Sequence, residues 1–219
     1  MPKDTFFNLP AEKRELICDV ALDEFAQYNF QQASINRIVE KAGIAKGSFY
    51  QYFEDKRDLF MHLIARMGEA KASYLAPIMA QTADYGFFDF FEAISKAGLQ
   101  FAQENPRYLK IGAWMLGTTR DAEIDRLMAE GNKQTAQFFE TLLQRGIATG
   151  EIRDDIDVPV YSHVLATVFT AMFTAPDQAL FDDFSTNANE VVQTFIDLLK
   201  YGIAVEQLEM PSSIQGDSQ

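Results

Sequence analysis

The sequence predicts an all-α protein of about nine helices. Apolar residues recur every third or fourth position through most of the chain, which is the spacing of a helix with one buried face. No sustained apolar–polar alternation, the pattern of a half-buried strand, occurs in the sequence. Glycine or proline marks several of the predicted helix ends, as at Gly43, Pro77 and Gly150, because neither residue is favoured inside a helix.

The first predicted helix begins at Pro10 and ends near Tyr28, after residues 1–9, which we expect to form a frayed arm. Proline suits the first turn of a helix because its missing N–H would have no partner there. We expect one face of this helix to pack across the next two helices and complete a three-helix domain. That face is apolar except for one glutamate and consists of Ile17, Val20, Ala21, Glu24 and Phe25.

Two short helices and a tight turn are predicted in the stretch 34–57. The first has Ser34 as its N-cap, whose hydroxyl can accept a backbone N–H. Gly43 follows it, and glycine most easily adopts the left-handed conformation that ends a helix. On the second helix Phe49 and Phe53 are four residues apart, so they share a face that can anchor it in the core. Two helices joined by a short turn containing glycine form a helix-turn-helix.

The second helix of this pair carries side chains suited to DNA. Lys46 supplies a charge for a phosphate, and Gly47 allows the backbone to approach a groove closely. Ser48, Tyr50 and Gln51 add hydrogen-bonding groups of the kinds that contact phosphates and, for glutamine, base edges. The alternative, a Tyr- and Phe-rich core helix with one solvated edge, remains open on periodicity alone.

The run from Gly43 to Phe53, followed by Lys56, resembles the DNA-binding domain of the TetR family of bacterial transcriptional repressors. Three positions depart from residues that are common in the family: Ala45 replaces Ser or Thr, Gln51 replaces Tyr, and Tyr52 replaces His. These departures bear on the preferred DNA sequence rather than on the fold. The resemblance implies DNA contacts at Lys46, Gly47, Ser48, Tyr50, Tyr52 and Lys56. The whole expected DNA-binding set is Ser34, Arg37, Ala45, Lys46, Gly47, Ser48, Tyr50, Gln51, Tyr52 and Lys56.

The distribution of charge is compatible with DNA binding although the formal net charge is −13. Residues 1–66 carry 9 basic and 10 acidic side chains, so most of the excess acid lies in residues 67–219. Within residues 34–57, five basic side chains accompany three acidic ones. The expected DNA-binding face is therefore locally positive, whereas the acidic body would weaken nonspecific binding to DNA, which is largely electrostatic.

A long fourth helix is predicted from Lys56 to about Leu75, with Asp55 as its N-cap and Pro77 as its end. The resemblance implies that this helix joins the DNA-binding domain to a helical ligand-binding and dimerisation domain. We expect the helix-turn-helix domain at 1–54, the ligand-binding and dimerisation domain at 55–210, and a polar, disordered tail at 211–219.

The rest of the chain is predicted to be helical. The expected elements are Gly86–Gln103, a helix from Pro106 to Leu116, a loop at 117–119, and helices Asp121–Thr149, Pro159–Thr174 and Phe184–Ala204. The turn from Gly150 to Asp157 resembles the loop that precedes the eighth helix in many TetR-like regulators. This second match lies far from the first and extends the resemblance over the whole chain.

The last two helices are expected to pair with their copies in a second subunit, since the resemblance implies a four-helix dimer interface. A dimer allows two recognition helices to reach successive major grooves, roughly 34–36 Å apart, on a palindromic operator. Burial within one subunit is the alternative for the same apolar faces. The expected interface residues are Val164, Val168, Met172, Val191, Phe195, Leu198 and Leu199.

A pocket for a small, largely apolar effector is expected among the helices between Gly86 and Phe139 and in the eighth helix, where aromatic and methionine side chains are abundant. Ordinary core packing is the alternative. The expected effector-binding residues are His62, Phe90, Phe91, Tyr108, Trp114, Met115, Phe138, Phe139, Phe169 and Phe173. The two histidines, His62 and His163, have no second ligand at metal spacing, so we expect neither a metal nor another cofactor.

Other classes of protein are disfavoured by the sequence. Residues 1–14 lack the apolar stretch of a signal peptide, no apolar run is long enough to span a membrane, and Cys18 is the only cysteine. We therefore expect a cytoplasmic protein. No phosphate-binding loop or catalytic motif is present, so we do not expect an enzyme. The hypothesis is a homodimeric repressor that a small molecule releases from its operator; an all-helical enzyme and a protein-binding adaptor are the alternatives.

Overall fold

The computed structural model describes residues 1–116, 121–174 and 184–204. Within these ranges the chain is all-α, and the extended backbone forms only an isolated bridge between Ile152 and Ala204, which confirms the predicted fold class. In chain order the helices are α1 (Asp4–Phe7), α2 (Ala11–Gln27), α3 (Ile35–Lys41), α4 (Lys46–Tyr52), α5 (Lys56–Ala80), α6 (Phe87–Glu104), α7 (Pro106–Leu116), α8 (Ala122–Ala148), α9 (Val158–Thr174) and α10 (Phe184–Ile203).

The N-terminal segment is ordered, so the prediction of a frayed arm at residues 1–9 is wrong. Phe6 is buried, and its ring lies 4.8 Å from the ring of Phe53, centroid to centroid. The backbone N–H of Lys3 donates to the carbonyl of Tyr52 at 2.8 Å. Burying a phenylalanine contributes about 1.5–3 kcal/mol, which opposes the conformational entropy lost on ordering the segment.

The first five helices share one apolar core with the start of the C-terminal part. Its members from α1 to α5 include Phe6, Ile17, Ala21, Phe25, Ile38, Phe49, Phe53, Leu59 and Leu63. Ile111 and Met115 of α7 and Ile124 of α8 belong to the same cluster. Helix α4 therefore belongs to the same core as helices that follow the predicted domain boundary.

Helix α5 runs through Pro77 to Ala80, so the prediction that Pro77 ends this helix is wrong. Proline inside a helix removes one backbone hydrogen bond and is unfavourable by about 3 kcal/mol or more. Leu75 and Ile78 on either side of Pro77 pack against the apolar core of the C-terminal part. We infer that this packing holds the last turn in helical form.

The C-terminal part is built from α6, α8, α9 and α10 around a second core. Helix α8 packs along α9, and α10 packs along α6. The long helix α8 is followed by Gly150, which has a φ of 77°. The N–H of the next residue, Glu151, donates to the carbonyl of Gly146 at 2.9 Å and closes the end of the helix. The predicted loop at 117–119, the tail at 211–219, and the side chains of Met172 and Phe173 lie outside the described residues.

Candidate nucleic-acid interface

The turn between α3 and α4 has the geometry that glycine was expected to provide. Gly43 has a φ of 63°. Its N–H donates to the backbone carbonyl of Glu40 at 3.2 Å, and the N–H of Ile44 donates to the backbone carbonyl of Val39 at 3.0 Å. These two bonds form a Schellman motif, which satisfies the last carbonyls of a helix when the residue after it is left-handed. The helix-turn-helix predicted from this stretch is confirmed.

The N-terminus of α3 is capped differently from the prediction. The side chain of Ser34 makes no capping hydrogen bond. Instead, the backbone N–H of Ser34 donates to the Glu24 carboxylate at 2.8 Å, and Glu24 on α2 is fully buried. Glu24 thus accepts the backbone N–H of the N-cap residue itself, a different group from the first-turn N–H that the serine hydroxyl was expected to bind, and it joins α3 to α2.

Two basic residues of the expected DNA-binding set hold the domain together. Arg37 donates to the same Glu24 carboxylate and lies 4.3 Å from the ring centroid of Tyr28. Lys56 donates from Nζ to the carbonyl of Ala33 at 2.9 Å. Burial lowers the pKa of Lys56, and the nearby Glu24 charge partly opposes that shift. Both cations fix the segment between α2 and α3.

The remaining residues of the expected DNA-binding set lie on or beside the outer face of α4. Phe49 and Phe53 are fully buried and anchor the helix, as predicted. The opposite face is exposed, and Tyr50 has 44% of its surface accessible. Ala45, Lys46, Gly47 and Gln51 are exposed as well, and Ser48 and Tyr52 are half-buried. A solvated face of lysine, hydroxyl and amide groups on a short helix can contact phosphates and base edges.

The N-terminal residues Lys3 and Thr5 meet the end of α4, and sequence reasoning missed them. The ammonium of Lys3 donates to the carbonyl of Tyr50 at 2.9 Å, and the hydroxyl of Thr5 donates to the carbonyl of Gln51. The signal available in the sequence was Phe6, because an aromatic residue in a short polar segment indicates that the segment docks on the core.

The expected effector-binding residues divide between the two cores. Five phenylalanines come together in the C-terminal core, with ring centroids 5.4–6.0 Å apart in successive contacts; they are Phe90, Phe91, Phe138, Phe139 and Phe169. Tyr108 and Met115 belong to the N-terminal core instead, and Trp114 is 47% exposed.

His62 is not brought to the phenylalanine cluster. Its ring lies 5.4 Å from that of Phe6 and 6.2 Å from that of Phe7, centroid to centroid. Burial lowers the pKa of His62, and the charge of Arg66 lowers it further. The residue therefore packs α1 against α5, a role that its sequence position did not indicate because α1 was predicted to fray.

Two cavities open beside α5. One of about 250 Å³ lies between α2, α5 and the turn from α6 to α7, with Cys18, Arg66 and Tyr108 in its wall. Another of about 600 Å³ lies between α5 and α8, and its walls combine apolar residues such as Met61, Ile64 and Leu127 with charged ones such as Arg57 and Asp58. Tyr108, a member of the expected effector-binding set, thus lines a cavity, whereas the five phenylalanines of that set are packed in the core.

The exposed apolar faces of α9 and α10 contain part of the expected dimer interface. Val164 is 52% exposed and Leu198 is 67% exposed, and Val168, Val191 and Phe195 are half-buried. Leu199 is 8% exposed and packs in the core of the single chain, and an interface role for it stays a prediction. Sequence reasoning missed the neighbouring Val160 and Tyr201, which are 55% and 68% exposed.

Other kinds of site are not seen in the part of the chain that the structure describes. No three His, Cys, Asp or Glu side chains there are grouped as a metal site would require. None of the helices in those ranges combines the length and apolar character needed to cross a bilayer. Cys18 is buried, and burial raises its thiol pKa, which disfavours the reactive thiolate.

Comparison with known proteins agrees with this geometry. The family model for bacterial regulatory proteins of the tetR family matches residues 17–63. A TetR family transcriptional regulator from Chloroflexus aurantiacus is 36% identical, with a TM-score of 0.73 over 94% of this chain and 99% of that one. The repressor KstR2 of Mycolicibacterium smegmatis is 25% identical over 211 residues, covering 90% of this chain and 94% of that protein.

A third similar structure is the regulator FadR of Bacillus subtilis, solved in complex with stearoyl-CoA. It is 19% identical, with a TM-score of 0.69 over 86% of this chain and 98% of that one, and at this identity the likeness shows a shared fold. The family model covers the helix-turn-helix, and the Chloroflexus structure matches nearly the full length. This chain belongs to the tetR family of bacterial regulatory proteins.

Proposed function

We propose that the protein is a ligand-responsive transcriptional repressor that binds a palindromic operator as a homodimer and leaves it when a largely apolar molecule binds the C-terminal part. The single observation that carries this proposal is the outer face of α4, where Lys46, Gly47, Tyr50 and Gln51 are exposed while Phe49 anchors the helix. Such a face fits a major groove, with lysine for phosphate and glutamine for a base edge.

Dimerisation is supported by the unpaired apolar faces of α9 and α10. Val160 and Val164 are one turn apart on α9, and Leu198 and Tyr201 are neighbours on α10; all four are more than half exposed in the single chain. Large exposed apolar side chains grouped on one face of a helix typically mark an interface. A two-fold dimer through these faces would present two copies of α4 to successive turns of DNA.

The effector is supported by the aromatic content of the C-terminal core. Phe91 is fully buried, and its ring contacts those of Phe139, Phe169 and Phe195 at 5.7–5.9 Å between centroids. Sites for apolar molecules are lined mainly by aromatic and hydrophobic side chains of this kind. The FadR complex makes acyl-CoAs sensible first probes for the same fold, because its bound molecule has a long apolar chain.

A polar contact offers a route from the effector-binding part to α4. Arg57 in the first turn of α5 donates to one oxygen of Asp121 at 2.9 and 2.7 Å. The other oxygen of Asp121 accepts the N–H groups of Glu123 and Ile124 at the start of α8. Burial alone would raise the pKa of Asp121, but Arg57 and these N–H groups outweigh burial and lower it.

We propose that movement of α8 around an effector is passed through Asp121 to α5 and so changes the separation of the two α4 helices. The effector must bind the released conformation more tightly than the operator-bound one, since a ligand with equal affinity for both shifts neither. To lower the population of the operator-binding conformation from 99% to 1%, the effector must bind the released conformation about 10⁴-fold more tightly.

The experiment has two stages. First, the purified full-length protein is used to select fragments of genomic DNA from its source organism, and the enriched fragments are sequenced. Enrichment of a palindromic site would support the proposal, and recovery of random fragments only would contradict it. Second, anisotropy of the labelled site is followed while stearoyl-CoA and shorter acyl-CoAs are added to saturation. Release identifies an effector, and unchanged affinity at saturation excludes that molecule.

A further inference from the structure

The C-terminal end of α4 has all of its free carbonyls occupied. The last four carbonyls of an α-helix have no partner within the helix. Here the carbonyl of Phe49 accepts the N–H of Phe53 at 2.8 Å. The carbonyl of Tyr50 accepts from Lys3 Nζ at 2.9 Å, and that of Gln51 accepts from the Thr5 hydroxyl.

The fourth carbonyl is also taken by the N-terminal segment. The carbonyl of Tyr52 accepts the backbone N–H of Lys3 at 2.8 Å. Three consecutive carbonyls at the end of α4, those of Tyr50, Gln51 and Tyr52, are thus held by Lys3 and Thr5 of the N-terminal segment. The charge is also favourable, because a cation near a helix C-terminus interacts well with the helix dipole.

The segment is fixed in place by apolar contacts with the buried Phe53 and the half-buried Tyr52 at the end of α4. The Phe6 ring packs against Phe53 at 4.8 Å and against Tyr52 at 6.3 Å between centroids. Phe6 is 1% exposed, so its burial anchors the segment, whereas Lys3 and Thr5 remain on the surface at the end of α4. The arrangement therefore separates anchoring from capping.

We propose that Lys3 and Thr5 are positioning residues for DNA recognition: they cap the recognition helix from outside the helix-turn-helix and fix the last turn, which carries Tyr50, Gln51 and Tyr52. This inference rests on the proposed DNA-binding function. A seven-residue helix such as α4 is shorter than the roughly 12–15 residues that persist alone in water. Its last turn depends on external partners for a single conformation.

Substitution of Thr5 tests the cap without changing charge. Thr5→Val keeps the shape of the side chain and removes the hydroxyl, and Thr5→Ser keeps the hydroxyl. We expect Thr5→Val to weaken operator binding by about fivefold or more, the effect of one lost hydrogen bond, and Thr5→Ser to bind like the wild type. Hydrogen exchange at the amides of residues 50–53 should accelerate in Thr5→Val only.

Substitution of Lys3 separates capping from direct contact with DNA. Lys3→Met keeps the apolar stem and removes the ammonium, and Lys110→Met removes an equal charge from an exposed position on α7. We expect Lys3→Met to weaken binding and accelerate exchange at residues 50–53, and Lys110→Met to change neither. A phosphate contact by Lys3 would instead lower the salt slope by about one per subunit with exchange unchanged, and that result would overturn the role assigned to Lys3.

The two hypotheses fail in distinguishable ways. If the wild-type protein selects no operator, the proposed function is wrong, and the exchange rates alone decide whether residues 3 and 5 hold the end of α4. If the wild type binds its operator and Thr5→Val binds equally well with unchanged exchange, the positioning role is wrong while the proposed function stands. Point variants are used because removal of the whole segment would also expose the site of Phe6.

Discussion

Arg37 donates from two nitrogens to a single oxygen of Glu24, at 2.8 and 2.5 Å, and that glutamate is fully buried. The other oxygen of Glu24 accepts no hydrogen bond, so removal of Arg37 leaves a buried carboxylate with little compensation. Since Arg37 is 40% exposed, we expect Arg37→Ala to lower the free energy of unfolding by less than the loss of one partner from a fully buried pair would.

Urea denaturation measures this effect, with Arg37→Lys as the matched variant that keeps the charge and loses the forked geometry. We expect the lysine variant to fall between the wild type and the alanine variant. An alanine variant of unchanged stability whose operator binding has a smaller salt slope would show instead that Arg37 acts on a phosphate.

Two glycines of the helix-turn-helix should respond to alanine in opposite directions. Gly43 has a φ of 63° and open space where a Cβ would stand, so Gly43→Ala suffers only the strain of the left-handed backbone, about 1–2 kcal/mol. Gly47 lies inside α4 with equally open space, so Gly47→Ala should raise stability by about 0.5–1 kcal/mol.

Operator binding distinguishes the same two glycines in another way. The Cβ added at Gly47 stands on the exposed face of α4, so Gly47→Ala should bind DNA more weakly despite its higher stability. For each variant, one urea titration gives the free energy of unfolding and one anisotropy titration gives the operator affinity. If Gly47→Ala binds the operator as well as the wild type does, the backbone at residue 47 does not approach the DNA groove closely.

His62 should make stability fall in mildly acidic solution. Its pKa is held below the ordinary value of 6.5 by burial first and by the Arg66 charge second. The folded state therefore binds fewer protons than the unfolded state, and the stabilisation is present above pH 6.5 and is lost as the pH falls through the folded pKa. Thermal unfolding between pH 8 and pH 5 measures this loss.

The exposed His163 on α9 provides the control for that measurement. We expect His62→Gln to flatten the decline in melting temperature below pH 6.5, and His163→Gln to leave the decline as it is in the wild type. A His62→Gln variant with the wild-type pH dependence would contradict the inference that a neutral imidazole packs α1 against α5.

A charge placed on the exposed apolar faces of α9 and α10 should prevent dimerisation. Leu198 is 67% exposed in the single chain, so Leu198→Glu leaves the fold of one subunit intact and buries an unpaired carboxylate in a dimer, which is strongly unfavourable. We expect a monomer in sedimentation experiments and loss of tight operator binding. Leu16→Glu, at a leucine on α2 that is 46% exposed, should remain dimeric.

Asp121 should control how strongly an effector acts on DNA binding. Asp121→Asn keeps an oxygen for the N–H groups of Glu123 and Ile124 and loses the charge that holds Arg57. We expect the variant to fold and to bind its operator, with the effector-induced loss of affinity reduced by roughly tenfold or more, within the usual range of allosteric coupling. A variant with wild-type coupling would exclude the route through Arg57 and Asp121.

The helix-turn-helix was predictable because its determinants are local. Gly43 is followed by a helix whose core face is marked by Phe49 and Phe53, and these signals act within eleven residues of one another. The capping of α3 was missed because its acceptor is Glu24, ten residues earlier and on another helix. A local rule for N-caps selects Ser34 and contains no information about a carboxylate supplied through tertiary packing.

The errors at residues 1–9 and at Pro77 have the same physical origin. Each was judged from local preference, and each is decided by contacts between helices: Phe6 on Phe53, and Ile78 on the C-terminal core. Periodicity identifies an apolar face but does not state which partner buries it, so interface and core residues on α10 could not be separated in advance.

The most direct test of the account is the anisotropy of labelled operator DNA titrated with the wild type, Tyr50→Ala and Lys46→Ala across a series of salt concentrations. We expect tight, salt-sensitive binding by the wild type, a loss of about tenfold or more in Tyr50→Ala, and a salt slope smaller by about one per subunit in Lys46→Ala. Equal affinity and equal slope in all three proteins would contradict the assignment of α4 as the helix that reads DNA.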